Sequence, residues 1–411
     1  MAPRLPAELW QIILEEFVGG SSDNIRPPIR ERNKHLLPLA RVNKDITPHV
    51  HALLVREVVP GVTRDPGIHH STEQLVALQS ALATNTELAK RVRSMYLVMG
   101  VGKYGPRFFF QGCADMHAVR DLVALCPELR HLDIIMSDPG TYGEALAFPE
   151  PVPAVPLRQL CVRVHDRLNR ASIVQTGADL FAFVLQALAG YPTLHTLLLR
   201  LPAEHYAVLD EDGPLAPYPW LRELRTAGVP PRGLLDAATG LQTLVLVDPA
   251  QAEHPADVVF HDTLYVPPST RELVFLGDFA AFAALDLCAA VSLRTVTLEW
   301  ADCNDEEVLE KLAARFDGAC ELHVYTLRLP LNPLVSAQLY DTLRTSLVQL
   351  RRRLGDVRRV VLSQLPGPRL LEERGEDEMR DTIKESFASA EVEFTYERYI
   401  DPDWRVLPRA N

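Results

Sequence analysis

At 411 residues, 47% hydrophobic and 23% charged, the chain has room for two to three ordinary domains, or for one small module and a large array. No apolar run reaches the roughly 18 residues of a membrane span. The nearest, Phe279 to Val291, is short and carries Asp286, so no membrane partner is expected. Net charge is −12, with +1 on residues 1–60 and −13 on the rest, which excludes the uniformly basic footprint of a nucleic-acid binder.

The N-terminus, Met1-Ala2-Pro3-Arg4, leads straight into an amphipathic segment with Glu8, Glu15 and Glu16, so no signal peptide is expected. Leu5 to Phe17 reads as a short helix. Pro6 suits a first turn, where its missing N–H costs little. Leu9, Ile13 and Phe17 recur at i, i+4, i+8, with Ile12 one place before Ile13, which makes one apolar face at helical period. Trp10 and Leu14 widen that stripe beyond what one neighbour covers. Gly19 to Asn24 ends the helix and opens a loop to about Lys34 that holds Pro27-Pro28. His35 to Asn43 resumes the apolar pattern. Thr47-Pro48 predicts a helix start, with Thr47 as the cap and Pro48 in the first turn, and the helix then presents Val50, Leu53 and Leu54. So small a bundle cannot hide all these side chains, which points to docking rather than catalysis.

Leu5-Pro6-x-Glu8-Leu9-Trp10-x-x-Ile13-Leu14, then Leu36-Leu37-Pro38-Leu39-Ala40-Arg41-Val42-Asn43 and Leu53-Leu54-Val55-Arg56-Glu57, resembles an F-box, particularly the fungal form. The resemblance implies a small all-α module over residues 1–60 that binds the Skp adaptor of a cullin–RING ubiquitin ligase. In that family the Leu-Pro start and the apolar face of the first helices make the contact. Carried over residue by residue, Leu5, Pro6, Leu9, Ile13, Leu14, Leu37, Leu39 and Val42 become the contact or supporting positions. The chain departs from many F-boxes in the longer insertion from about Gly19 to Asn33.

Residues 61–411 repeat one pattern. Cys126-Pro127-Glu128-Leu129-Arg130-His131-Leu132, Tyr191-Pro192-Thr193-Leu194-His195-Thr196-Leu197 and Tyr218-Pro219-Trp220-Leu221-Arg222-Glu223-Leu224 each read Cys/Tyr-Pro-x-Leu-x-x-Leu. Weaker copies end near Leu160, Leu244, Leu273, Val296 and Val360, and Asn85 to Leu97 resembles a first repeat. The anchors 132, 160, 197, 224, 244, 273 and 296 are spaced close to leucine-rich-repeat length, with insertions. Helices are expected between the strands over Met116–Leu125, Ala178–Ala189, Ala280–Ala290, Glu306–Phe316 and Leu339–Leu354. The fold class is therefore α/β: a small all-α F-box module, then an irregular leucine-rich-repeat-like solenoid of parallel strands with outer helices. Insertions at 138–156, 202–219 and 248–268 are candidates for a recognition rim or for padding.

No GxxxxGK[ST], GxSxG, HExxH or GxGxxG motif is usable, and His69-His70 with Glu73 fits a solvated turn better than a metal site. The six cysteines, 113, 126, 161, 288, 303 and 320, lack CxxC spacing and read as buried reduced thiols of a cytoplasmic or nuclear protein, with a disulfide framework or a zinc site as the lesser alternative. No enzyme activity, cofactor or metal is called for. The function expected is a substrate-recognition adaptor, with a Skp-type adaptor and through it a cullin as partners, and a target that the sequence does not name. The alternative is a protein-binding repeat scaffold outside any ligase, its F-box-like helices serving as an N-terminal cap.

Overall fold

The repeated leucines form a parallel sheet in each of two compact units, divided between Leu194 and His195. The computed structural model describes residues 14, 36–41, 44, 46–58, 72–100, 119–137, 155–165, 184–200, 215–227, 230–247, 264–276, 285–286, 290–299, 326–331, 359–364, 385, 388 and 393–398.

In the first unit, helix α1 (Thr47–Arg56) runs without a break into strand β1 (Glu57–Val58). Helices α2 (Thr72–Thr84) and α3 (Thr86–Ala89) lead to β2 (Ser94–Gly100), followed by β3 (His131–Ser137) and β4 (Gln159–His165). Residues 119–125 and 184–190 are also helical. Each strand pairs in parallel with the next. Asn85 caps α3, its side-chain oxygen accepting from Leu88 N at 3.0 Å.

The second unit holds β5 (Thr196–Arg200), β6 (Glu223–Ala227), α4 (Arg232–Ala237), β7 (Thr243–Val247), β8 (Leu264–Tyr265), β9 (Glu272–Leu276), β10 (Leu285–Asp286), β11 (Thr295–Glu299), β12 (Thr326–Leu331), β13 (Arg359–Gln364) and β14 (Glu393–Arg398). Its parallel sheet runs β5-β6-β7-β9-β11-β12-β13-β14, and β8 pairs with β10 apart from it. Both units are α/β, and strands added in chain order are what a solenoid-like arrangement requires.

The anchors occupy one register row in each unit. Val58, Met95, Leu132 and Leu160 align in the first. Leu197, Leu224, Leu244, Leu273, Val296, Leu327, Val360 and Phe394 align in the second. From Met95 to Val296 every anchor is buried. Two places on, the same face buries Leu97, Ile134, Val162, Leu199, Leu246 and Phe275. Three places before the anchor lie Val92, Leu129, Leu157, Leu194, Leu221, Leu241 and Leu293, also buried. Burying such a side chain contributes roughly 1.5–3 kcal/mol, so the stacked columns are the main source of cohesion.

A recurrent turn precedes several of the strands. The N–H three places before the anchor donates to the carbonyl three further back: Leu129 to Cys126, Leu194 to Tyr191, Leu221 to Tyr218, Leu241 to Ala238 and Leu293 to Ala290, at 2.9–3.2 Å. Thr270 breaks the leucine column. It is fully buried, and its Oγ1 has no hydrogen-bond partner. A buried hydroxyl left unpaired costs about 1–3 kcal/mol. Thr270→Val, which trades that hydroxyl for a methyl of similar size, should therefore stabilise the protein by about 1 kcal/mol. A urea midpoint that fell would contradict this.

Three expectations are corrected. Within the helix expected over Ala280–Ala290, Leu285 and Asp286 are a strand paired to Leu264 and Tyr265. A short apolar run does not by itself distinguish helix from strand, and a pairing partner decided it. Thr47 is the first residue of α1 rather than its cap. Buried Ile46 takes the cap position in helical geometry, and the Thr47 hydroxyl donates instead to the Ala40 carbonyl at 2.7 Å. The sheet also begins inside the range 1–60, because Glu57 and Val58 pair with Ser94 and Met95. Of the helices expected over Met116–Leu125 and Ala178–Ala189, the described residues, 119–125 and 184–189, are helical, whereas those expected at 306–316 and 339–354 lie outside the described residues.

Cys126 and Cys161 are buried, and neither is in a disulfide. Burial pushes the Cys126 thiol up to about 12, so it stays protonated and inert. The other four cysteines lie outside the described residues. No helix among the described residues is long and apolar enough to cross a membrane.

Candidate functional site

The described residues of the N-terminal range share an apolar interior. Leu14, Leu36, Ile46 and Val50 form one buried cluster, with Leu39, Ala40, Leu53 and Leu54 packed against it. The Thr47–Ala40 hydrogen bond ties the start of α1 to the turn that ends the helical residues 36–39. Successive residues of a helix point about 100° apart. Leu36 takes the inward direction, and Leu37, next in line, is left 55% exposed.

The structure thus sorts the residues singled out in the sequence. Leu14 is interior and supports the module from within. Leu39 sits half-buried at the margin of the cluster. Leu37 is presented to solvent. Leu5, Pro6, Leu9, Ile13 and Val42 lie outside the described residues. Leu37, Val76 and Val291 are the large apolar side chains most exposed among the described residues, and only Leu37 belongs to the module.

On the sheets, the residue just before each anchor is polar: Glu57, Ser94, His131 and Gln159 in the first unit, Thr196, Glu223, Thr243, Glu272 and Thr295 in the second. Neighbours in these rows bond to each other. Ser94 Oγ lies 3.2 Å from His131 Nδ1. Thr196 Oγ1 donates to Glu223 at 3.1 Å and Thr243 Oγ1 to Glu272 at 3.3 Å. Arg225 Nε donates to the other Glu223 oxygen at 2.6 Å. Alternating hydroxyl and carboxylate pairs the row across strands and avoids like charges side by side.

One place earlier still is a row that the sequence reading did not single out. Two before the anchors from Val58 to Val296 stand Arg56, Arg93, Arg130 and Arg158 in the first unit, and His195, Arg222, Gln242, Arg271 and Arg294 in the second. From Arg56 to Arg130 and from His195 to Arg271, each carbonyl in this row accepts from the next strand's approach, as Arg130 O does from Arg158 N at 2.8 Å and from Gln159 N at 2.9 Å. Seven of the nine are arginine, so composition alone, with more acidic than basic residues, does not explain the row. The signal was legible as an arginine at fixed offset from the leucine anchor. Among the described residues, no group of three or more His, Cys, Asp or Glu gathers as a metal site.

Comparison with protein-family models, with curated proteins and with solved structures found no match. What the arrangement offers chemically is therefore read from the chain's own surfaces. These are an exposed leucine on a packed helical module, and parallel sheets with a polar row and a basic row at the strand starts.

Proposed function

We propose that this chain is a substrate-recognition adaptor of a Skp–cullin–F-box ubiquitin ligase, working in the cytoplasm or nucleus. Its N-terminal helices would dock the Skp-type adaptor, and its leucine-anchored array would hold a target protein. The observation that carries the reading is Leu37, 55% exposed on a module whose remaining described leucines are buried or packed against the core. A solvated leucine beside a packed apolar cluster is an anchor waiting for a pocket. Residues 36–43 are also among those that carry the F-box resemblance. The mechanism is positioning: two partners held on one chain meet at high effective concentration, and no bond is made or broken by the adaptor itself.

The second reading, an array whose N-terminal helices act as a cap, is favoured by the continuity of α1 into β1. Arg93 N donates to Arg56 O at 2.8 Å, so the end of that helix is already part of the sheet. Deleting residues 1–60 would strip β1 and lay bare the edge of β2, so a point substitution separates the readings better. Wild-type protein should capture a purified Skp adaptor. Leu37→Asp should weaken capture about tenfold or more, the scale of an interface anchor, while Val291→Asp should not. A wild-type protein that fails to bind any Skp adaptor sinks the ligase reading and leaves the cap.

A further inference from the structure

The first unit carries four arginines in one hydrogen-bonded row. Arg56, Arg93, Arg130 and Arg158 each stand one residue before the in-register positions Glu57, Ser94, His131 and Gln159. Their backbones are linked directly: Arg93 N donates to Arg56 O, Arg130 N to Arg93 O and Arg158 N to Arg130 O, each at 2.8 Å. Neighbouring strands lie about 4.8 Å apart, so the four stems leave the sheet edge from points spread over roughly 14 Å. Arg56 and Arg158 are exposed, and Arg93 and Arg130 half-buried. Glu128 meets Arg93 at 3.6 Å.

Like charges on neighbouring strands destabilise a sheet, and packing does not demand them here. The leucine columns fill the core, and the position two before the anchor contributes its backbone to the ladder whatever its side chain. In the second unit the same offset accepts Gln242 and His195. A chain with 54 acidic and 42 basic residues has nonetheless placed arginine at all four positions of the first unit.

We propose that this row is a docking edge for an extended, Asp/Glu-rich segment of a partner protein. Guanidinium groups take carboxylates through two parallel N–H···O bonds, which fixes direction as well as charge. Side chains on one face of an extended peptide recur about every 6.8 Å, within reach of flexible arginine stems rooted about 4.8 Å apart. A long polyanion such as RNA fits less well. It would extend past the row onto a chain of net charge −12, whereas a short acidic segment meets the row alone. The proposal needs neither the Skp adaptor nor a ligase.

The test uses the full chain and a fluorescein-labelled alternating Glu-Ser peptide, read by fluorescence anisotropy at low and high salt. The peptide should bind at low salt and weaken as salt rises. The double substitution Arg130→Gln, Arg158→Gln should weaken binding about three- to tenfold, the product of one half-buried and one exposed charge contact. Arg232→Gln, remote in sequence and in the other unit, should leave it unchanged. If the glutamine pair fails to fold, Arg130→Lys with Arg158→Lys decides, because lysine keeps the charge and loses the fork; a measurable drop is expected. The proposal is overturned if the peptide does not bind at low salt. It is equally overturned if either folded double variant binds as tightly as wild type, or if a single-stranded RNA of equal charge binds more tightly than the peptide.

Discussion

Gly240→Ala should lower the stability of the second unit by about 1–3 kcal/mol or more, the scale of an overpacked core. A Cβ built at Gly240 would stand 2.8 Å from the Pro219 carbonyl carbon and 3.3 Å from its Cα, with the carbonyl oxygen closer still. These are backbone atoms, so no rotamer change relieves the clash. The two turns cannot move apart cheaply either. Tyr218 N donates to Ala237 O at 2.6 Å, Leu221 N to Tyr218 O at 3.2 Å and Leu241 N to Ala238 O at 3.0 Å. Tyr218 is buried enough that its phenol is held above its ordinary pKa, and it meets Trp220 edge-on at 5.9 Å. The spacing explains the crowding. Leu224 and Leu244 are only 20 residues apart, the shortest step among the anchors, so one turn lies directly on the next. Gly233 is the matched control. Its Cβ would meet only the Leu215 side chain, at 3.8 Å, and it sits inside α4. Gly233→Ala should therefore stabilise by about 0.5–1 kcal/mol through helix propensity. Urea midpoints of the two variants would decide. A Gly240→Ala protein within about 0.5 kcal/mol of wild type, the range of a harmless surface change, would contradict the argument.

The same spacing shows what was legible in advance. Leu132, Leu160, Leu197, Leu224, Leu244 and Val296 were readable as strand anchors because each follows a leucine by three and carries the strand's first buried side chain; Leu273 follows Thr270 and was readable from its own strand alone. The register rows place them as equivalents. Leu327 was missed although it continues the row. Its strand contains Pro330, a residue that argues against a strand interior, so the local pattern reads against what the pairing imposes. The strand at Leu285–Asp286 was missed for the opposite reason: alanine-rich flanks favour helix, and only the partner at Leu264–Tyr265 makes it extended. In the module, the interior positions were legible as apolar, but which leucine faces outward depends on one helical step between Leu36 and Leu37. The arginine row was visible in the sequence yet carried no meaning until the register stacked it.

Phe275→Ala should be the most damaging single truncation in the array, costing about 3–5 kcal/mol. Phe275 is the largest fully buried side chain described, and its ring fills the place that Leu199 and Leu246 take on β5 and β7. Its register neighbours are Leu246 on β7 and Leu298 on β11, so in register it stands between two leucines. Removing it leaves a cavity that neither strand partner can close, since β7 and β11 are each held to β9 along their whole described register. Phe275→Leu keeps most of the volume and should cost under about 1.5 kcal/mol. In a stacked array each strand contacts only its neighbours, so the loss should spread outward from β9 rather than fall evenly. Hydrogen exchange of the alanine variant should show β7, β9 and β11 losing protection together while β2, β3 and β4 keep theirs. A uniform loss across both units would mean that the chain unfolds as one cooperative body, and the nearest-neighbour account of its stability would fail.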